Sequence, residues 1–182
     1  MNRKETTAFL SDMLIRRLSG IGKYYAREVS VNWGTSKEKR VDFMEFDPPA
    51  QYCTSQIEKG IFVCYEVKSC KEDVFSGNGL NFFGEKNYIV TTMQCWKDIQ
   101  DDMRSGKLAR HIDECSPDSS HYYGIMVAVP YMRNPTDEYE NPTPLDSPDV
   151  IGWDFSVVMP CRQGPRSKSM VELLFCMMRS GK

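Results

Sequence analysis

The chain has 182 residues, enough for one well-packed core but thin for two, so a single domain over 1–182 is expected. With 41% hydrophobic residues, 26% charged residues and a net charge of −2, it falls in the globular class and outside the disordered one, and the charge gives no global signal for nucleic acid. No apolar run approaches the roughly 20 residues of a membrane span. The opening MNRKETTAFLSDMLIRRL mixes charges among its apolar positions and builds no signal-peptide core. A soluble cytoplasmic protein with no membrane partner is therefore expected. The seven cysteines form no CxxC pair, which predicts reduced thiols and no structural zinc.

In chain order, Phe9, Leu10, Met13, Leu14 and Leu18 are spaced for a helix over 4–19 that ends at Gly20 and Gly22. REVSVNW (27–33) and RVDFMEF (40–46) read as strands joined by the turn GTSKEK, a hairpin. A Pro-containing loop over 47–60 leads to IFVCYEVKS (61–69), the strongest strand in the chain. The Gly- and Asn-rich segment 70–86 follows, then a strand NYIVTT (87–92) and a helix over 93–106. YYGIMVAVP (122–130) and WDFSVVMP (153–160) are further strands, separated by a Pro-rich excursion over about 131–150. Ser169 and Glu172 are spaced as a capping box for a last helix through VELLFCMMR, read as core, that stops at Gly181. The predicted order is α-β-β-β-(α)-β-α-β-β-α, an α/β (α+β) chain with a central mixed β-sheet flanked by helices.

One hairpin register concentrates polar chemistry. If Phe46 pairs with Phe62, Met44 faces Cys64 and Asp42 faces Glu66, while alternation puts Glu66 and Lys68 on the same face. Directly opposed residues have Cβ atoms about 4.5–5.5 Å apart, so two carboxylates and an ammonium converge. Adjacent buried carboxylates resist ionisation, and a divalent cation removes that conflict; Mg2+ or Mn2+ suits carboxylate oxygens. Lys68 would then meet charge developing on a phosphate. A surface ion-pair cluster would read the same way in sequence.

At these residues the chain resembles the PD-(D/E)xK nuclease superfamily. Asp42 in RVDFMEF matches the first acid and Glu66-Val67-Lys68 in CYEVKS the second motif, with Val41 in place of the proline; residues 4–92 follow the superfamily's core order. The longer run EVKSCKEDVFSGNGLNFFGEKNY looks more narrowly like MmcB-like DNA repair proteins and their phage-borne relatives. The resemblance implies a restriction-endonuclease-like core and metal-dependent hydrolysis of DNA in repair, recombination or phage DNA processing. It also implies Asp42, Glu66 and the Val67 carbonyl as ligands of Mg2+ or Mn2+, with Lys68 as the catalytic lysine. A non-catalytic DNA- or protein-binding module on the same fold is the alternative, and a homodimer is compatible with either.

Further candidates are weaker. Glu5 could be the extra acid the superfamily often places on its first helix, or an ordinary first-turn Glu. Glu28 opens the first strand, where a tight hairpin through 34–39 would set it nearer Glu45 than Asp42. Ser69 and Asp73 either hydrogen-bond the metal site or turn the chain. Gly77 and Gly79 could bring backbone N–H groups to a phosphate or simply permit a turn. Lys86, Asn87 and Tyr88 could touch DNA or the site, or form a polar strand entrance with Tyr88 packed inside. His111 and His121 lack metal-ligand spacing and read as surface residues. Arg162, Arg166 and Lys168 form either an anion site or a solvated basic loop.

Overall fold

The computed structural model describes residues 1–49, 54–118 and 120–180. Its elements are α1 (Arg3–Leu18), β1 (Tyr24–Val31), β2 (Lys39–Asp47), a 3-10 turn (Thr54–Lys59), β3 (Ile61–Val67), α2 (Lys71–Val74), β4 (Lys86–Thr92), α3 (Met93–Arg104), α4 (Lys107–Cys115), β5 (Gly124–Pro130), α5 (Pro135–Glu140), β6 (Trp153–Met159) and α6 (Met170–Ser180). The six strands form one open sheet in chain order; β3, β4 and β5 run parallel, and the other neighbours are antiparallel. The chain is thus α+β, with a mixed sheet flanked by helices. No helix among the described residues is long and apolar enough to cross a membrane.

Alternation along the strands sorts the core. Val63, Tyr65 and Val67 of β3 and Val90, Met126 and Ala128 of the next two strands face α1, meeting its buried stripe of Leu10, Met13, Leu14 and Leu18. The opposite face is covered in two parts. Met170, Leu173 and Met177 of α6 pack on β1–β3, and Ile99, Leu108 and Ile112 of α3 and α4 pack on Ile89, Ile125, Val127 and Val129. The last helix is therefore only half core: Val171, Phe175 and Met178 are exposed. Its Ser169–Glu172 capping box is present as expected, and the Gly181 stop lies outside the described residues. The six described cysteines are free thiols, and burial pushes that of Cys64 up to about 12.

Two segments read as connections prove organised. The 107–115 stretch is helix α4, anchored by Leu108 and Ile112 at i and i+4 after Gly106 turns into the left-handed region (φ +71°). The 131–150 excursion contains α5, capped by the Asn134 side chain. It closes on Glu138, fully buried, which accepts from the Thr143 backbone N–H and hydroxyl and pairs with Arg133 at 2.9 Å.

Candidate active site

The β2–β3 register is the expected one: Phe46 pairs with Phe62 and Met44 with Cys64. The ladder ends at Phe43↔Tyr65, one step before Asp42 and Glu66. There the Asp42 side chain takes the place of a strand partner, its Oδ2 accepting from the Val67 N–H at 2.8 Å. Lys68 is fixed from the other side, its N–H bonding the Val90 carbonyl at 2.9 Å and its own carbonyl accepting from the Thr91 hydroxyl at 2.6 Å.

Glu66 and Lys68 are both buried and turn to the same point. A Cβ built on Gly79 would lie 2.7 Å from Lys68 Nζ and 2.8 Å from Glu66 Oε2. Segment 75–85 folds back over the end of β3: the Asn78 carbonyl accepts from Lys68 Nζ at 2.6 Å, and the Asn81 N–H donates to Glu66 Oε1 at 3.2 Å. Glu66 Oε2 has no hydrogen-bond partner in the structure. A fully buried carboxylate oxygen left without a donor is costly. Burial first, then the Asp42 charge, push the Glu66 carboxyl well above the usual carboxylate range, against Lys68 and the Asn81 and Leu80 amides. Asp42 is also raised, chiefly by burial, with the Val67 N–H and Lys68 opposing.

These side chains floor a cleft of about 810 Å³. Glu28 reaches it, which corrects the expected hairpin geometry. Arg27 pairs with Phe43 and Val29 with Val41, so Glu28 stands opposite Asp42, not Glu45. The reason is the connection, which spans 32–38 and turns through left-handed Asn32 (φ +56°) and Gly34 (φ +74°), longer than a tight turn at 34–39. Glu28 is itself left-handed (φ +52°), and its carboxylate pairs with Arg40 at 2.6 Å. At this level both strands reverse face together: Ala26 and Val29 share a cluster, as do Val41 and Met44.

Asp73 also lines the cleft. Burial would raise it, but hydrogen bonds from the Ser69 backbone, the Lys68 charge, the Ser69 hydroxyl and Arg3 outweigh that and hold its carboxyl below its ordinary value. Ser69 thus serves the site through Asp73, and Asp73 also tethers α1 through Arg3. Asn81, which the sequence reading missed, is a direct partner of Glu66; its place after the glycines was the available signal.

Other candidates are elsewhere. The Glu5 carboxylate is engaged in a capping box with Asn2, accepting from the Asn2 N–H at 2.9 Å, and does not line the cleft. The spacing Asn-x-x-Glu already carried that signal. Tyr88 stacks on Tyr65 in the α1-side core, and Lys86 sits at the start of β4; neither lines the cleft. His111 packs on Phe75, and His121 pairs with Asp113 at 2.8 Å. Arg166 is paired with Glu85. No residue of 131–150 lines the cleft.

The donor set suits a hard divalent cation: two carboxylates, one with an unpartnered oxygen, beside the Val67 backbone. Among the described residues no group of three or more His, Cys, Asp or Glu side chains is placed to hold a metal. Water would therefore complete the coordination, as Mg2+ ordinarily requires.

Gly79 offers a test of how tightly this site is built. An alanine there meets only the ends of two side chains, whereas one at Gly84 would come within 2.5 Å of the Phe62 carbonyl oxygen. Gly79→Ala is expected to cost about 1–3 kcal/mol in stability through its left-handed backbone (φ +77°). It should also displace Lys68 and Glu66 from their bonds to Asn78 and Asn81, a shift that a crystal structure of the variant would read. A small stability loss with both side chains unmoved would show that the site has room to spare.

Comparison of the chain with protein-family models, curated proteins and solved structures returned no match.

Proposed function

We propose that the chain is a divalent-metal-dependent phosphodiesterase that hydrolyses DNA, acting in the cytoplasm in repair, recombination or phage DNA processing. The observation that carries the reading is the buried Glu66, with one oxygen unpartnered, meeting Lys68 at the point Gly79 leaves open, beside Asp42. The α1-β1-β2-β3 order followed by a parallel β4 supports a restriction-endonuclease-like core.

Asp42, Glu66 and the Val67 carbonyl would hold Mg2+ or Mn2+. The ion would supply Lewis-acid polarisation of the phosphate and a more acidic water. The Lys68 ammonium donates to the phosphoryl oxygen that gains charge as water adds to phosphorus and the bond to the leaving oxygen breaks. Asn78 orients that ammonium from behind, and Asn81 holds the second Glu66 oxygen.

Incubation with linear, nicked, branched and single-stranded DNA plus Mn2+ tests the reading; cleavage of at least one form is expected, blocked by Asp42→Asn. No cleavage of any form, with Mn2+ binding the same in wild type and Asp42→Asn, overturns it. The second reading, a DNA- or protein-binding module without turnover, draws on the net charge of −2 and on the absence, among the described residues, of three or more His, Cys, Asp or Glu side chains placed together to hold a metal ion. DNA binding without cleavage is its expected result.

A further inference from the structure

The cleft continues past Glu28. A groove of about 700 Å³ opens from it between α1 and β1, and Arg3, Thr7 and Glu28 line both spaces. On the α1 side the wall is Lys4, Thr7, Ala8 and Ser11, one face of the helix at i, i+3, i+4 and i+7, whose small members keep it low. On the β1 side it is Arg27, lying over the Phe43 ring at 5.5 Å. The two charges at the junction are already matched, Arg3 by Asp73 and Glu28 by Arg40. Lys4 and Arg27 are exposed and, among the described residues, belong to no ion pair. The groove's remaining charge is Asp12, two turns along α1 from Lys4, about 12 Å of helix rise. The cation excess therefore lies beside the site, although the whole chain is slightly acidic.

We propose that this groove binds the phosphates that flank the scissile one on the nucleic-acid strand, Lys4 and Arg27 supplying the charge and the Ser11 hydroxyl donating to a phosphate oxygen, while the Thr7 hydroxyl stays bonded to the Arg3 carbonyl. The inference rests on the phosphodiesterase reading and names how that site holds its substrate. Sequence-independent phosphate contacts of this kind set register and make binding salt-dependent.

The test is fluorescence anisotropy of a labelled 20-nucleotide DNA, single-stranded and duplex, with the full chain carrying Lys68→Met so that the strand stays intact, in Mn2+. Adding Lys4→Gln with Arg27→Gln should weaken binding roughly tenfold at 0.1 M salt and flatten the log–log salt slope by about 1.8 for duplex or 1.4 for single strand. Arg162→Gln with Lys168→Gln, in the other basic segment, should leave both unchanged. Melting curves by circular dichroism check that each variant is folded. Binding equal to the parent, or equal losses in the two pairs, overturns the groove. Wild-type cleavage measured in parallel separates the two readings. Cleavage with an unaffected groove variant overturns the groove alone. Groove-dependent binding without cleavage overturns the phosphodiesterase reading and leaves the groove as a nucleic-acid surface. No binding by any form overturns both.

Discussion

Lys68→Met should retain DNA binding and lose cleavage by about 10²- to 10³-fold, the range seen when one donor to a developing oxyanion is removed. The argument starts from packing. Lys68 is almost fully buried, its backbone is pinned to β4 on both sides, and its ammonium donates to the Asn78 carbonyl. Its charge acts on Asp42, Glu66 and Asp73, yet among the described residues it forms no direct ion pair, an arrangement expensive to maintain as a structural device. It faces the unpartnered oxygen of Glu66 across the point Gly79 leaves open. Methionine keeps the unbranched shape and removes the charge, so the fold should survive, as a thermal melt would check. Cleavage within tenfold of wild type at saturating DNA would remove Lys68 from the chemistry. A parallel loss of binding would assign it to substrate capture instead.

Glu66→Gln should make the metal-free protein more stable while abolishing its response to metal. The Glu66 carboxyl is pushed up from 4.5 by burial and by Asp42, so the folded state binds its proton more tightly than the unfolded state does. Stability then falls as pH rises through the window above about 4.5, because folding must either hold that proton against the solvent or bury the charge. Glutamine keeps the acceptor for the Asn81 N–H and carries no charge. At pH 8 the variant should therefore exceed wild type by about 1–3 kcal/mol, which for a chain of this length raises Tm by about 2–4 °C per kcal/mol. The gap should close as pH drops below about 4.5, where the wild-type carboxyl becomes neutral in both states. Mn2+ should raise the wild-type Tm and leave the variant unmoved. A variant less stable than wild type at every pH would mean that the carboxylate is well satisfied as an ion. Such a pairing of higher stability with lost function is the usual sign of a strained functional group.

The parts of this site legible in the sequence were those fixed by local periodicity. β3 is apolar enough to declare itself, and the pairing of its Phe62 with Phe46 of β2 sets Met44 against Cys64 and brings Asp42 to the end of the ladder. What escaped was set by loops and by distant segments. The β1–β2 connection hid its length because Asn32 adopts a left-handed turn that its identity permits but does not require. Glu28 therefore reached the cleft from a register the pattern did not suggest. The return of 75–85 onto Glu66 is a tertiary event; glycine content announced a turn there but not its destination. Helix α4 has just two buried apolar residues, too few for a periodic signal, and the excursion around Glu138 is organised by ion pairing and capping that hydropathy does not register.

The substitution of a carboxylate for a strand neighbour at Val67 changes how mutational scanning of Asp42 should be interpreted. Its Oδ2 terminates the β2–β3 ladder, so truncation to alanine strands a backbone N–H at the floor of the cleft and loosens β3 just where Glu66 and Lys68 leave it. Damage of that kind would mimic loss of a ligand. Asparagine can present its amide oxygen to the same N–H, leaving the scaffold intact while withdrawing the negative charge. The two substitutions therefore separate architecture from chemistry at a residue that serves both.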